Sequence, residues 1–360
     1  MAHSLAAQQG KTQEFWVGFN HHEVGSPQGQ LEALQALLSC AYGAELSSEL
    51  GATLAAELTL NAEPASSAGL SYVLVETDTP LSESGRAALR AALLSGQLPC
   101  DVWYDPFPNF YHGAAATAGS AVVMDMDMTS VQIEGIDEIA RRLGVYEQVA
   151  AITEQAMQGH LDFAQSLTRR VALLKGGNAA QVLASVKANM PWTPGLSALI
   201  EVMNQARAAN PKTQFCVASG GFHNLIAALD EHAHYNQIAA NRLAVDESGH
   251  FTGAVDGPII DGQAKAHLVQ RLKTEQGLAQ DQIIVVGDGA NDLIMMAEGG
   301  CAVAYHAKPK VQAQVHNLIN HCDLTMLADR IKLDQGAQPQ SLLTAGRRCA
   351  VHAVRAVRAA

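Results

Sequence analysis

The sequence lacks several features that would define its class at once. Its six cysteines form no CxxC pair and no zinc-ligand spacing, and aromatic residues make up only 5% of the 360 residues. There is no run of about 18 apolar residues, and the first residues contain no charged segment followed by an apolar one. We therefore expect a cytoplasmic protein with reduced thiols, without a membrane span or an export signal.

Positive charge is also scarce. The 23 lysines and arginines are outnumbered by 35 aspartates and glutamates, which gives a formal net charge of -12. Because nucleic-acid-binding proteins usually present a basic surface, this balance argues against a nucleic-acid partner. Hydrophobic residues make up 48% of the chain, which is enough for the cores of more than one globular domain.

What the sequence does contain is a set of polar motifs, each at the end of an apolar run. Three such runs, each suited to a buried parallel strand, occupy residues 121–124, 214–218 and 282–286. They lead into the motifs DMDMT, SGGF and GDGAND, respectively. Because parallel strands end at one edge of a sheet, we expect Asp125, Ser219 and Asp288 to lie close together.

The residue types in these motifs suit phosphoryl transfer. Asp125 and Asp127 offer a nucleophile and an acid/base group, although an Asp-rich turn that caps a helix has the same pattern. Ser219 and Gly220 offer a hydroxyl and unhindered backbone N–H groups for phosphate, although a plain turn is the alternative. Asp288 is a hard oxygen ligand for magnesium, and a structural calcium loop is the other interpretation of its motif.

Three further residues belong to the same set. Asn291 and Asp292 add hard oxygen ligands to the acidic loop. Lys265 lies in a predicted helix over residues 262–275, where an isolated lysine is usually a surface charge.

In this order, the motifs resemble those of the haloacid dehalogenase superfamily, namely DxDx[TV], a Ser or Thr after the second strand, a Lys and an acidic GDxxxD-type loop. The segments VVMDMDMTSVQIEGIDEIA, ASGGF and VVGDGANDLIMMAEGG are similar to the bacterial phosphoserine phosphatase family within it. The resemblance covers roughly residues 120–327. It implies an α/β fold, with a Rossmann-like parallel-sheet core over 113–335 and a helical cap at about 133–208.

The resemblance also implies roles for the core residues. Asp125 would be the nucleophile and Asp127 the acid/base, and both would hold Mg²⁺ together with Asp288. Asp292 would support this metal site. The phosphate would be bound by a set of core residues, Ser219, Gly220, Lys265 and Asn291.

In the cap, the resemblance implies that Glu134 and Arg170 bind the amino and carboxylate groups of phosphoserine, while Met157 and Phe163 close over it. Without the resemblance, Glu134 and Arg170 would be interpreted as exposed salt-bridge partners. The family commonly has Ser where Met128 stands, so a hydroxyl contact near the first motif is either absent or supplied by Thr129 or Ser130.

Residues 1–112 are predicted to form a separate α+β unit of βαββαβ type, with strands at 15–19, 71–76 and 101–104. Its predicted helices span 28–41 and 82–94. The resemblance implies that this unit is an ACT-like regulatory domain, with serine as a candidate ligand and a homodimer as a candidate assembly.

Small residues at 113–119 predict a linker, and residues 241–255 predict a hairpin beside the cap. The tail at 336–360 is basic and predicts either a short amphipathic helix or a frayed end.

The expected function is that of a magnesium-dependent phosphoserine phosphatase, which completes serine biosynthesis. Two alternatives stay open from the sequence. One is a phosphatase or phosphotransferase of the same superfamily that acts on another small phosphorylated metabolite. The other is an amino-acid-binding regulatory protein, in which residues 1–112 are the working part.

Overall fold

The computed structural model describes residues 13–20, 27–42, 70–77, 81–111, 114–336 and 351–357. The chain divides into two compact units, one formed by Met1–Pro106 with Gln312–Ala360 and the other by Phe107–Val311. No helix within the described residues combines the length and the apolar character that crossing a membrane requires.

The elements follow in chain order. The N-terminal part contains β1 (Gln13–Asn20), α1 (Pro27–Tyr42), β2 (Leu70–Thr77), α2 (Glu83–Leu94) and β3 (Asp101–Trp103). The next part begins with α3 (Ala114–Ala118), β4 (Ala121–Met124), α4 (Gly135–Leu143), α5 (Tyr146–Met157), α6 (Phe163–Ala172), α7 (Ala179–Ala188) and α8 (Leu196–Ala209).

It continues with β5 (Gln214–Phe222), α9 (His223–Ala233), β6 (Gln237–Asn241), β7 (Leu243–Val245), β8 (Phe251–Val255), α10 (Gly262–Glu275), β9 (Ile283–Gly287), α11 (Leu293–Glu298), β10 (Cys301–Tyr305) and α12 (Pro309–Gln312). The C-terminal part contains β11 (Asn317–Ile319), α13 (Thr325–Gly336) and β12 (Val351–Val357). Short 3-10 turns precede β9 and α11, at Gln280–Gln282 and Ala290–Asp292.

A parallel sheet forms the centre of the unit Phe107–Val311. Its strands are hydrogen-bonded in the order β10-β9-β4-β5-β6. Every residue of β4 and β9 is buried, as expected for strands that are covered on both faces. The predicted α/β fold with a Rossmann-like parallel core is therefore confirmed.

The long connection from β4 to β5 contains the five helices α4 to α8, as predicted for a helical cap. The first of them ends at Gly144, which adopts a left-handed conformation with φ of 70°. The predicted hairpin is formed by β7 and β8. It hydrogen-bonds the cap, since the N–H of Gly176 donates to the carbonyl of Phe251 at 2.8 Å.

The other unit contains an antiparallel sheet in the order β12-β2-β1-β3. The strands and helices predicted within residues 1–112 are present, with bounds that differ by one or two residues. The remaining strand of a βαββαβ unit would fall between α1 and β2, in a segment that lies outside the described residues. The ACT-like arrangement therefore stays a prediction.

Two predictions about connecting segments were wrong. The small-residue linker contains the helix α3, because alanine has the highest helix propensity. The basic tail contains β12 rather than an amphipathic helix, and its backbone pairs antiparallel with β2. This pairing provides hydrogen-bond partners for backbone N–H and C=O groups along one edge of β2. A helix in the same place would leave these groups without strand partners.

The structure also groups residues 312–336 with the N-terminal unit, whereas we expected the core to extend to residue 335. The buried carboxylate of Asp101 accepts backbone N–H groups from Asn320, His321 and Cys322 at 2.7, 3.0 and 2.7 Å. The indole of Trp16 donates to the carbonyl of Met326 at 3.1 Å. These bonds hold the segment to the strands β1 and β3.

Candidate active site

The register of the parallel strands brings the three motifs together. Met124, at the end of β4, pairs with Val217 of β5 and Val286 of β9. Asp125 follows Met124 directly. Ser219 lies two residues after Val217, and Asp288 lies two residues after Val286. All three line one pocket, together with Asp127, Gly220 and Asn291, as the sequence predicted.

Lys265, predicted to bind phosphate, does not line this pocket and instead joins two motifs. Its ammonium group is 2.9 Å from Asp125 Oδ1 and 2.7 Å from Asp292 Oδ1, and its side chain is 1% exposed. Burial alone would lower the lysine pKa, but the two carboxylates outweigh this effect and raise it, so the ammonium stays charged. Lys265 is therefore a buried charge, not the surface charge that an isolated lysine suggests.

One ammonium group cannot neutralise the carboxylates around it. Asp125, Asp288 and Asp292 each place an oxygen within 4.8 Å of the others, and all three are buried. Burial and the neighbouring Asp292 raise the pKa of Asp125, and the same two causes raise that of Asp288 to about 6. Hard oxygen donors with uncompensated negative charge are the ligand set that magnesium prefers, so these residues fit a divalent cation.

Within this cluster, both carboxylate oxygens of Asp292 already accept hydrogen bonds. Its Oδ1 binds Lys265, and its Oδ2 accepts the N–H groups of Asp288 and Gly289 at 3.2 and 3.0 Å. Asp125 uses Oδ1 for Lys265 and for the N–H of Met126, so its Oδ2 is the oxygen available for other chemistry. Asp288 and Asp125 are thus the candidate metal ligands, with Asp292 in a supporting position.

The carboxylate of Asp127 lies outside this cluster, although we expected it to share the metal. Its Oδ2 accepts the N–H of Gly135, at the start of α4, at 3.1 Å, while its buried Oδ1 has no hydrogen-bond partner within the described residues. Burial and the nearby Glu134 raise its pKa to about 7. A carboxyl group that exchanges its proton near neutral pH is suited to general acid/base chemistry.

The loop Ser219–Gly220–Gly221, which is predicted to bind phosphate, has close neighbours on both sides. A Cβ atom at Gly221 would lie 2.9 Å from Asp127 Oδ2, and one at Gly220 would lie 3.0 Å from the ring of Phe163. The hydroxyl of Ser219 accepts the N–H of Gly221 at 2.9 Å. Only glycine at both positions lets the loop fit between Asp127 and the cap.

The cap contributes side chains to the same pocket. Glu134, Phe163 and Arg170 line it, as the sequence predicted. Burial lowers the pKa of the Arg170 guanidinium, while Asp137 opposes this shift. Met157 does not line the pocket and is 76% exposed, so the prediction that it closes over the substrate is not met. It is the last residue of α5, and no residue of this helix lines the pocket.

The pocket also contains residues that were not predicted from the sequence. Ile136 and Leu167 supply apolar surface from the cap, and Lys308 contributes a cation at the rim. The Lys308 ammonium is 3.8 Å from Asp288 Oδ2, and its side chain is 61% exposed. The segment AYHAKPKV contains Lys308 next to a turn, but no spacing rule links it to the acidic loop.

The hydroxyls near the first motif come from Thr129 and Ser130, one of the two alternatives expected where Met128 stands. Thr129 Oγ1 lies 3.3 Å from Asp288 Oδ1, and Ser130 Oγ donates to the backbone carbonyl of Asp125 at 2.6 Å. Met128 has a left-handed φ of 58° and is 41% exposed. Its side chain does not line the pocket.

The pocket encloses about 190 Å³. Sites for drug-sized ligands typically measure roughly 300–1,000 Å³, so this one suits a small metabolite.

Comparisons with known proteins agree with this geometry. The family profile of haloacid dehalogenase-like hydrolases matches residues 122–297. A phosphoserine phosphatase from Haemophilus influenzae is 41% identical over 246 residues, which cover 65% of this chain and 74% of the relative. The chain therefore belongs to the phosphoserine phosphatase family of haloacid dehalogenase-like hydrolases.

Two solved structures are similar as well. A haloacid dehalogenase family hydrolase from Salmonella enterica serovar Typhi has a TM-score of 0.69 at 26% identity, and the match covers 88% of this chain and 97% of that one. A phosphoserine phosphatase solved as a phospho-aspartyl intermediate analogue has a TM-score of 0.52 at 34% identity. That match covers 59% of this chain and 98% of the other.

The raised pKa of Asp127 predicts a pH-dependent effect on stability. Since one pKa unit is roughly 1.4 kcal/mol, a rise from 3.8 to about 7 makes ionised Asp127 cost the folded state of the order of 4 kcal/mol. This cost is absent below about pH 4, grows as the pH rises and is complete above about pH 7. Asp127→Asn should therefore raise the melting temperature of the metal-free protein at pH 8 but not at pH 4.

The measurement is thermal unfolding at both pH values in the presence of a chelator. Asp256→Asn, which neutralises an exposed carboxylate, is the control and should change little at either pH. Equal melting temperatures of Asp127→Asn and wild type at pH 8 would contradict the raised pKa.

Proposed function

We propose that this chain hydrolyses O-phosphoserine to serine and inorganic phosphate through an aspartyl-phosphate on Asp125, with Mg²⁺ as cofactor. One observation carries the proposal. One pocket is lined by Asp125, by the loop Ser219–Gly220–Gly221 of the core and by Arg170 of the cap. The Haemophilus influenzae relative is a phosphoserine phosphatase, and a similar solved structure is an analogue of a phospho-aspartyl intermediate.

The attack of a carboxylate on a phosphate dianion requires positive charge nearby. At an effective dielectric of about 20, two like charges about 4 Å apart repel by about 4 kcal/mol. Asp125 and Asp288 would hold Mg²⁺, which would supply positive charge to offset this repulsion. Lys265 sets the position of Asp125, and the hydroxyl of Ser219 donates to a phosphoryl oxygen.

The reaction has two half-steps. Asp125 Oδ2 forms a bond to phosphorus while the bond from phosphorus to the serine oxygen breaks. Asp127 donates its proton to the departing oxygen. It then accepts a proton from the water that attacks the aspartyl-phosphate, and phosphate is released. A pKa of about 7 lets the same carboxyl group serve in both directions.

The cap would provide the selectivity for an amino acid. No ion pair within the described residues engages the terminal nitrogens of Arg170, and its Nε donates to the carbonyl of Ser166 at 3.4 Å. A planar guanidinium fork matches a carboxylate. Glu134 makes no capping bond to α4, so its carboxylate is available for the substrate ammonium.

The remaining expectations belong to the same proposal. We propose that the N-terminal unit is an ACT-like regulatory domain that binds serine, and that the protein is a cytoplasmic homodimer. The antiparallel sheet with α1 and α2 supports the first point. Cys100 and Cys216 are buried thiols outside any disulfide, which supports a reducing compartment.

The proposed function predicts magnesium-dependent release of phosphate from phosphoserine. The expected result is turnover with added Mg²⁺ and loss of turnover after exhaustive chelation, restored when Mg²⁺ is returned. Asp288→Asn should raise the Mg²⁺ concentration needed for half-maximal turnover, because it removes a candidate anionic ligand. Colorimetric phosphate release measures both effects. Full activity in chelator would remove magnesium from the mechanism, and no release at any metal concentration would remove phosphoserine as the substrate.

Asp125→Asn should abolish turnover, because an amide oxygen is a poor nucleophile, while the folded structure is retained. Circular dichroism checks the fold and a phosphate assay checks turnover. In the wild-type enzyme, fluoroberyllate should be trapped on Asp125, which a crystal structure of the inhibited enzyme would show. Attachment to a different carboxylate would contradict the assignment.

Arg170→Ala should lower kcat/KM for phosphoserine by more than about tenfold, because a substrate carboxylate left without its partner in a closed site costs roughly 2–5 kcal/mol. Hydrolysis of an aryl phosphate without an amino-acid group should hardly change. Arg169→Ala is the matched control, since Arg169 is the exposed neighbour on α6 and does not line the pocket. Equal losses on both substrates would make Arg170 a structural residue.

A further inference from the structure

We infer that Asn241 is a positioning residue that sets the orientation of the loop Ser219–Gly220–Gly221. The inference rests on the proposed phosphatase function and adds a residue that lines no part of the pocket. Asn241 is the last residue of β6 and is 1% exposed. A polar side chain so deeply buried is stable only when its donors and acceptors are paired.

The strand pairing explains why such a residue is needed. β5 and β6 pair Ser219 with Ala240, and the next pair is Phe222 with Asn241. Gly220 and Gly221 are therefore extra residues on β5, and they bulge out of the ladder. A bulge leaves backbone groups without ladder partners, and other groups must satisfy them.

The carboxamide of Asn241 supplies those bonds. Its Nδ2 donates to the carbonyl of Gly220 at 2.8 Å and to the carbonyl of Ile260 at 3.1 Å. Its Oδ1 accepts the N–H of Ile260 at 2.8 Å. Both hydrogens of the amide and one acceptor position are used, so the side chain has a single fixed orientation.

The bond to Gly220 fixes the next peptide group. In a trans peptide, the carbonyl of Gly220 and the N–H of Gly221 point in opposite directions. Because Asn241 holds the carbonyl, the N–H is directed to the other side, where Ser219 Oγ accepts it at 2.9 Å. The hydroxyl hydrogen of Ser219 is then available for a phosphoryl oxygen.

The bonds to Ile260 reach the start of α10, the helix that contains Lys265. Ile260 directly precedes Asp261, whose side chain caps α10 by accepting the N–H of Ala264 at 2.9 Å. That helix carries Lys265, the buried cation that contacts Asp125. One carboxamide thus ties the loop that contains Ser219 to the start of the helix that contains Lys265.

Without the Asn241 side chain, the peptide group between Gly220 and Gly221 loses the hydrogen bond that fixes its orientation. Glycine populates positive and negative φ almost equally, so the group is free to rotate and turn its N–H away from Ser219. The hydroxyl would then be misplaced for transition-state stabilisation, even with every residue that lines the pocket intact.

The test compares two variants with a matched control. Asn241→Asp keeps the side-chain volume and an acceptor for Ile260, and Asn241→Ala adds no charge. Asn224→Ala is the control, because Asn224 also accepts a nearby backbone N–H, that of Leu243 at 2.9 Å, but makes no recorded bond to the loop. Each variant is assayed on phosphoserine and on an aryl phosphate, with inorganic phosphate as a competitive inhibitor.

A positioning role predicts that kcat falls by about tenfold to a hundredfold on both substrates for the Asn241 variants, and that inorganic phosphate inhibits more weakly. Asn224→Ala should leave both quantities near those of wild type per folded molecule. A purely structural role would lower the melting temperature and the folded fraction while the inhibition constant stays unchanged, and that result would overturn the inference.

A double-mutant cycle with Ser219→Ala gives a second, independent readout. If Asn241 acts through Ser219, the double variant should agree with the more damaged single variant within about twofold. Fully multiplicative losses would overturn the inference. If wild type hydrolyses the aryl phosphate but not phosphoserine, the proposed substrate fails while this test still stands on the aryl phosphate.

Discussion

The buried ion pairs of Lys265 are the interaction on which the site depends. They connect the end of β4, the helix α10 and the loop after β9, three elements that are distant in sequence. Removing one partner of a buried pair typically costs about 3–5 kcal/mol, because the remaining charge is left uncompensated. The position of Asp125 is therefore coupled to the packing of α10 and to the fold of the acidic loop.

The same constraint explains the glycine that precedes the acidic loop. Asp292 must turn back to accept N–H groups from Asp288 and Gly289 while also reaching Lys265. A Cβ atom at Gly287 would lie 2.5 Å from Asp292 Oδ2, closer than real Cβ contacts allow. Glycine is needed at this position because the Asp292 carboxylate lies so close to the backbone. A left-handed backbone conformation is not the reason.

Much of the core was predictable because its signals are local. Apolar runs indicate buried strands, and parallel strands end at one edge, so the convergence of Asp125, Ser219 and Asp288 follows from strand order alone. The helix with Lys265 was also predicted with its observed bounds. The burial of Lys265, however, depends on its ion pairs with Asp125 and Asp292. A sequence pattern does not show which carboxylates will lie next to a lysine.

The pocket-lining residues of the cap were harder to predict, because a helical pattern does not show which side of a helix faces the pocket. Ile136 and Leu167 line the pocket, whereas Met157, also an apolar residue of a cap helix, is exposed. The C-terminal strand was missed for a related reason, since its pairing with β2 is a long-range contact that no local propensity indicates.

Charge explains how an acidic protein can bind an anionic substrate. The three clustered carboxylates exceed the single ammonium of Lys265 by two negative charges, and a divalent cation would remove this excess. The cluster would then no longer repel a phosphate dianion, and the cation of Lys308 at the rim would add a weak attraction that solvent and salt screen. Metal binding would in this way be a condition for admitting the substrate as well as for the chemistry.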